Sequence, residues 1–238
     1  EFRSRAISLV MAGGVVGAFI GPELAKSTRN LFEPVVFAGC FATIGVIMLL
    51  NISILQFIRI PRMSAAERLD TGRPLTTILQ QPATIVAILA SMIGYGSMSL
   101  VMTATPLAMI QYEHSFADAA FVIQWHVLGM FAPSFFSGHL IRRFGPLTVM
   151  AWGAIAIITG IGTALMGVEV IHFWLSMLLL GLGWNFLFIG STTLLTEAYT
   201  TAERAKTQAL NEFIVFGCAG MGSFLSGSLH FYLGWDAL

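Results

Sequence analysis

The stretch Phe173-Trp-Leu-Ser-Met-Leu-Leu-Leu-Gly-Leu-Gly-Trp-Asn-Phe-Leu-Phe-Ile-Gly-Ser-Thr-Thr-Leu-Leu195 contains no charged residue. About 20 such residues in a helix span a bilayer, whereas transmembrane strands are about 9–11 residues long and alternate strictly. This run is twice that length and does not alternate, so it reads as a membrane helix. Six further runs read the same way: roughly Ala6–Ala25, Pro34–Phe57, Ala83–Ile110, Ala119–Ile141, Leu147–Met166 and Ala209–His230. The fold class is therefore all-α, a polytopic membrane bundle of about seven spans. Composition agrees. The chain has 238 residues, 56% hydrophobic and only 10% charged, with mean hydropathy +0.82. Soluble domains are about 25% charged.

The breaks between spans predict orientation. Cytoplasmic loops carry excess Lys and Arg. Arg3, Arg5, Arg59, Arg62, Arg68, Arg73, Arg142, Arg143, Arg204 and Lys206 fall on one side, and only Lys26 and Arg29 on the other. A wrong helix count would scramble this split. The chain thus starts inside and ends outside. The one long connection, residues 58–81, lies on the basic side. It separates two helices (1–57) from five (82–238) and reads as a linker between two bundles. Ser64-Ala-Ala-Glu67 within it fits a capping box. The chain begins Glu1-Phe2 and reads as a fragment, with no signal peptide visible.

Net charge is zero, which excludes a nucleic-acid binder driven by bulk charge. Cys40 and Cys218 are too few for a disulfide scaffold or a metal site. No nucleophile elbow, Walker loop or His-Glu-x-x-His motif occurs, so no enzyme activity, metal or cofactor is expected. A seven-helix receptor-like or other non-transport protein is the alternative. Its retinal-binding form needs a lysine inside a span, and both lysines, Lys26 and Lys206, lie in loops.

Three stretches resemble the major facilitator superfamily (MFS). Gly17-Ala-Phe-Ile-Gly21-Pro22 resembles the Gly-x-x-x-Gly-Pro core of the antiporter motif on the family's fifth helix, although Glu23-Leu-Ala25-Lys26 follows it in place of two glycines. Gly138-His-Leu-Ile-Arg142-Arg143-Phe-Gly145-Pro146 resembles the cytoplasmic turn between helices eight and nine, with Arg142 where the family usually has Asp. Gly181-Leu-Gly-Trp-Asn185-Phe-Leu-Phe-Ile-Gly190, followed by Thr196-Glu197 and Glu203-Arg204, is similar to the tenth helix and its loop in many bacterial members. The resemblance implies that the seven spans are helices five to eleven of twelve. It implies secondary transport by alternating access, with substrate near the midplane. It also implies a multi-pass protein of the bacterial inner membrane, monomeric when full-length. Its partners would be a small organic solute, the lipid bilayer and protons, with proton-coupled export as the leading expectation.

Polar groups inside hydrocarbon are costly unless partnered or wetted, which makes each a functional candidate. Asn185 and Trp184 suit a midplane substrate contact, and an interhelical hydrogen bond is the equal alternative for Asn185. Gln124 and His126 lie about two turns into the fourth span. His126 is a candidate proton relay or a packing histidine. Glu212 is a candidate for proton coupling or for pairing with a cytoplasmic Arg. Gly13, Gly17 and Gly21 share one helix face that permits close backbone contact, and Pro22 removes a backbone hydrogen bond beyond it.

Overall fold

The computed structural model describes residues 2–58 and 72–238, with side chains from residue 13 onward. Among these residues there is no strand. Nine helices are present in the described chain: α1 (Phe2–Thr28), α2 (Ala38–Leu55), α3 (Leu75–Leu79), α4 (Pro82–Gln111), α5 (Phe116–Phe131), α6 (Ser134–Phe144), α7 (Pro146–Ala164), α8 (Val170–Glu197) and α9 (Arg204–Ala237). A 3-10 turn, Thr201–Glu203, precedes α9. Among the described residues five helices are each long and apolar enough to cross a bilayer, and α5 with α6, bent by 42°, makes a sixth. α1, at 27 residues, has the length of a seventh. The molecule is a multi-pass membrane bundle.

Local chemistry sets the helix ends. Ser115 and Asp118 form a reciprocal capping box at the start of α5, each side chain accepting the other's backbone N–H at 3.1 Å. Pro82 and Pro146 open α4 and α7 at positions where a missing N–H costs nothing. Gly145 joins α6 to α7 alone, at φ 82° and ψ 158°, a conformation essentially closed to residues with a Cβ. The expected fourth span, Ala119–Ile141, is broken at Pro133, which has no N–H to continue the ladder. The capping box at Ser64–Glu67 and the side chains of Arg3 and Arg5 lie outside the described residues. α9 is longer than the expected Ala209–His230 and leaves helical geometry at Gly234 (φ 80°, ψ 174°).

α8 is the centre of the bundle. Of its apolar stretch 61% is buried, against 33% for the next most buried span, α7. It packs on α7, α5 and α4. Side-chain-free surfaces make this possible. A Cβ on Gly183 would lie 2.6 Å from the Gly153 carbonyl oxygen, and one on Gly153 would lie 2.8 Å from that of Gly183. A Cβ on Gly181 would run into the His126 carbonyl, and one on Gly129 would sit 2.9 Å from that of Leu178. α4 crosses α8 antiparallel, tied by the Ser91–Ser191 hydroxyl pair at 2.7 Å. α9 runs beside α4, with Gly222 against the Gly96 carbonyl. α1 lies antiparallel along α5, from Gly14 against the Phe131 ring to Arg29, whose guanidinium sits 4.6 Å from the Phe116 ring centroid and 5.1 Å from that of Phe37.

The long loop ends in a clasp. Arg73 donates from Nε and its backbone N–H to Glu203 Oε1, both at 2.7 Å, and from Nη2 to Glu203 Oε2 at 2.7 Å and the Ala198 carbonyl at 3.0 Å. Glu203 is 1% exposed and also accepts the Thr200 N–H. Lys206 donates to the Arg73 carbonyl. The bidentate Arg73 guanidinium, and then the Thr200 amide, hold the Glu203 carboxyl well below the usual carboxylate range. Two loops that sequence placed on the basic side are thus joined. On the opposite side, His114 Nε2 bonds the Val168 carbonyl at 2.7 Å, joining the other pair.

Gly181→Ala forces a methyl group against backbone and costs about 1–3 kcal/mol. Gly162→Ala, whose Cβ meets nothing within 4 Å, leaves the melting temperature in detergent at or above that of the parent. Glu203→Gln lowers the melting temperature at neutral pH. The depressed carboxyl stabilises the fold above the ordinary carboxylate range. The gap between parent and variant therefore narrows as pH falls below that range, where the unfolded chain takes up a proton and the clasped carboxyl does not. A constant gap across pH excludes the clasp as its source.

Candidate functional site: a cleft between α4, α5 and α9

A cleft of about 290 Å³ opens among three helices. α4 contributes Met98, Ser99, Met102 and Thr103; α5 contributes Val127, Met130 and Phe131; α9 contributes Ser223. The α4 residues are spaced by three and four, so they line one face, and Tyr95 continues that face one turn toward the basic side. On α9, Glu212, Phe216 and Ser223 share a face in the same way. Across the cleft Thr103 and Ser223 pair at 2.9 Å. One level down, Tyr95 meets Phe216 edge-on at 5.5 Å, Trp184 at 5.1 Å and Phe188 at 5.7 Å. Trp184 and Phe188 stack at 5.0 Å and 10°. The cleft therefore has thioether and phenyl walls and a hydroxyl edge, with no charged residue among its described lining residues, and the Tyr95 aromatic cluster lies beyond it.

The residues singled out by sequence stand mostly one layer behind this cleft. Asn185 is 1% exposed. Its Nδ2 donates to the Met130 carbonyl at 2.6 Å and to Ser134 Oγ at 2.7 Å. Met130 is in the last turn of α5, and Asn185 satisfies its carbonyl across the Pro133 break. Both are interhelical hydrogen bonds from Nδ2, and Asn185 Oδ1 is buried with no hydrogen-bond partner among the described residues. Trp184 backs the cleft through Phe131, at 6.5 Å between ring centroids. His126 is fully buried, with Nδ1 held by the Met177 carbonyl at 2.8 Å. It fastens α5 to α8. Gln124 is half-buried, and helical spacing puts it on the α5 face of Val127 and Phe131. Glu212 is exposed, and among the described residues no basic group forms an ion pair with it.

The motif residues are distributed differently. A Cβ on Gly17, Gly21 or Gly138 would meet nothing within 4 Å. The packed face of α1 is the adjacent one, carrying Gly14 and the buried Ala18. α1 continues helical through Pro22. Arg142 and Arg143 are exposed, and the Arg143 guanidinium lies 5.2 Å from the Phe144 ring centroid. Sequence reasoning passed over Ser99, Thr103 and Ser223, because single hydroxyls in apolar helices usually bond their own backbone. The signal available was the i, i+4 repeat of Met98/Met102 and Ser99/Thr103 on one helix.

The family profile described as Major Facilitator Superfamily matches residues 1–223. The chain is 45% identical over 240 residues to the riboflavin transporter RfnT of Brucella anthropi, an alignment covering 100% of this chain and 60% of that protein. It is 28% identical to each of two uncharacterized MFS-type transporters of Bacillus subtilis, YddS and YdeG. Those alignments cover 94% and 95% of this chain and 56% of each relative. The chain thus spans about three-fifths of the length of the curated relatives it matches. No solved structure matches it.

Asn185→Leu removes the donor from a buried carbonyl and hydroxyl. It lowers stability by about 1–3 kcal/mol. Substrate affinity of the protein that remains folded stays within twofold. Melting temperature and affinity measured on one purified variant check this, and a large affinity loss at unchanged melting temperature returns Asn185 to the substrate site.

Proposed function

The chain belongs to the Major Facilitator Superfamily, and we propose that it is the greater part of a secondary transporter that moves a small organic solute by alternating access. The observation that carries this is the α4–α5–α9 cleft. It is concave, apolar with a few hydroxyls, and set between helices, which is the usual chemistry of a small-molecule site. The solute we assign is of the riboflavin class. The relative named for riboflavin is aligned along the whole of this chain, and a flat aromatic ring bearing hydroxyls suits an uncharged cleft of methionines, aromatics and alcohols.

Asn185 fastens α8 to the end of α5 behind this site, and Trp184 backs its Phe131 wall. The α1 face of Gly17 and Gly21, open among the described residues, is a surface for close sliding contact in the whole transporter. Export driven by protons is the coupling that the Gly17–Pro22 resemblance supports. Glu212, exposed on the α9 face that also carries Phe216 and Ser223, is the acidic group placed to take part. The protein works as a monomer in the bacterial inner membrane.

The test is flux of labelled riboflavin in cells that express the full-length protein and lack their own riboflavin transport. Expression changes the cellular riboflavin level, unlabelled riboflavin competes, and a protonophore abolishes the net flux. Riboflavin flux unchanged by expression in either direction overturns the substrate assignment. Flux that persists with a protonophore overturns the coupling alone.

A further inference from the structure

We propose that the cleft is divided into a ring slot formed by Met98, Met102, Met130 and Phe131, and a chain slot formed by Ser99 and the Thr103–Ser223 hydroxyl pair, so that it takes a planar heteroaromatic bearing an uncharged polyol and rejects its phosphate ester. This assignment rests on the riboflavin-class reading above and adds which atoms of the solute go where.

The two slots follow from helix geometry. Ser99 and Thr103 are one turn apart on α4, and Ser223 faces Thr103 from α9 at 2.9 Å. Tyr95 lies eight residues before Thr103, and Phe216 seven before Ser223. At 1.5 Å per residue, both steps descend about 10–12 Å toward the basic side. The Thr103–Ser223 pair thus forms one layer and the Tyr95–Phe216 aromatic pair another, at matching depths on two helices running the same way. Between these layers α4 carries two neighbouring columns, Met98 with Met102 and Ser99 with Thr103, so the thioether side with Phe131 and the hydroxyl side run next to each other along the cleft. Met sulfur is polarizable and packs favourably against aromatic rings, and Phe131 offers a further ring contact.

The hydroxyl layer is chemically suited to alcohols. Each hydroxyl has one donor and two acceptor lone pairs. Their mutual bond uses one donor and one lone pair, which leaves a donor and several acceptors to meet a chain that itself both donates and accepts. Charge is handled in the opposite way. None of the described lining residues is basic. Glu212 stands on the same α9 face, with no ion-pair partner among the described residues. A phosphate entering this cleft would lose its hydration with no cation among the described lining residues to meet it, and burying an unpaired charge is strongly unfavourable.

The experiment uses purified full-length protein titrated with two probes, followed by quenching of their fluorescence. The probes are riboflavin and lumichrome, which is the ring system without the ribityl chain. Flavin mononucleotide serves as the competitor. Thr103→Val and Ser223→Ala should each weaken riboflavin roughly two- to tenfold, the loss expected for one hydrogen bond, and leave lumichrome unchanged. Thr103→Ser, which keeps the hydroxyl, should restore riboflavin binding. Met102→Ala should weaken both probes alike. Flavin mononucleotide should compete at least tenfold more weakly than riboflavin. Hydroxyl variants that shift both probes equally, or neither, overturn the division into slots, as does flavin mononucleotide competing as well as riboflavin. Parent protein that binds neither probe overturns the riboflavin-class reading itself, which separates that failure from failure of the slots.

Discussion

Backbone meets backbone where α8 crosses α7 and α5, and the rest of the bundle is arranged around that contact. Lipid tails are as apolar as leucine, so helices in a bilayer gain little by hiding apolar side chains from them. They gain by close packing. The facing pair Gly153 and Gly183, and Gly129 and Gly181 against carbonyls of the opposite helix, bring three helix axes close enough for backbone to meet backbone. With α8 fixed in the middle, α4 is placed by Ser91–Ser191 and α9 by its own small-residue contact with α4.

The polar groups within the spans are used in keeping with that arrangement. His126 and Asn185 join α5 to α8 at two successive levels, through Met177 and Met130. The second of these sits where Pro133 interrupts the helix. A break that would otherwise expose a carbonyl to hydrocarbon becomes a fixed bend of 42°. It holds Met130 and Phe131 at the edge of the cleft. Rigid fastening of one wall contrasts with the other boundary of α5, along α1. There the described contacts include a phenyl ring on Gly14 and a guanidinium over two adjacent phenyl rings. Contacts of that kind separate without leaving a hydrogen-bonding group unpaired.

Much of this was legible in the sequence, because membrane helices announce themselves by length and by the absence of charge. The spans, the Gly145-Pro146 turn and the alternation of basic loops all depend on local composition. The bend at Pro133 was also visible but was absorbed into one span, since an apolar run continues across it. The cleft was harder to see. Sequence reasoning looks for costly groups at depth, and Asn185 and His126 are costly because they hold helices together. Ser99, Thr103 and Ser223 are cheap and become significant only when two helices bring them face to face. The clasp was out of reach altogether. Arg73 and Glu203 are separated by 130 positions and belong to loops whose charges, read singly, signal only the side of the membrane.

Gly72 and Arg73, although they sit at the end of a connecting loop, are held to the turn between α8 and α9. Gly72 takes φ 59° with no room for a Cβ beside Glu203, and Arg73 completes the hydrogen bonding of a carboxylate that water does not reach. For anyone dividing this protein into two separately expressed halves, the position of the cut matters. A fragment that begins ahead of Gly72 carries its own counter-charge. One that begins at Pro82, where the helix starts, strands Glu203 without it and would be expected to aggregate for reasons unrelated to its membrane spans.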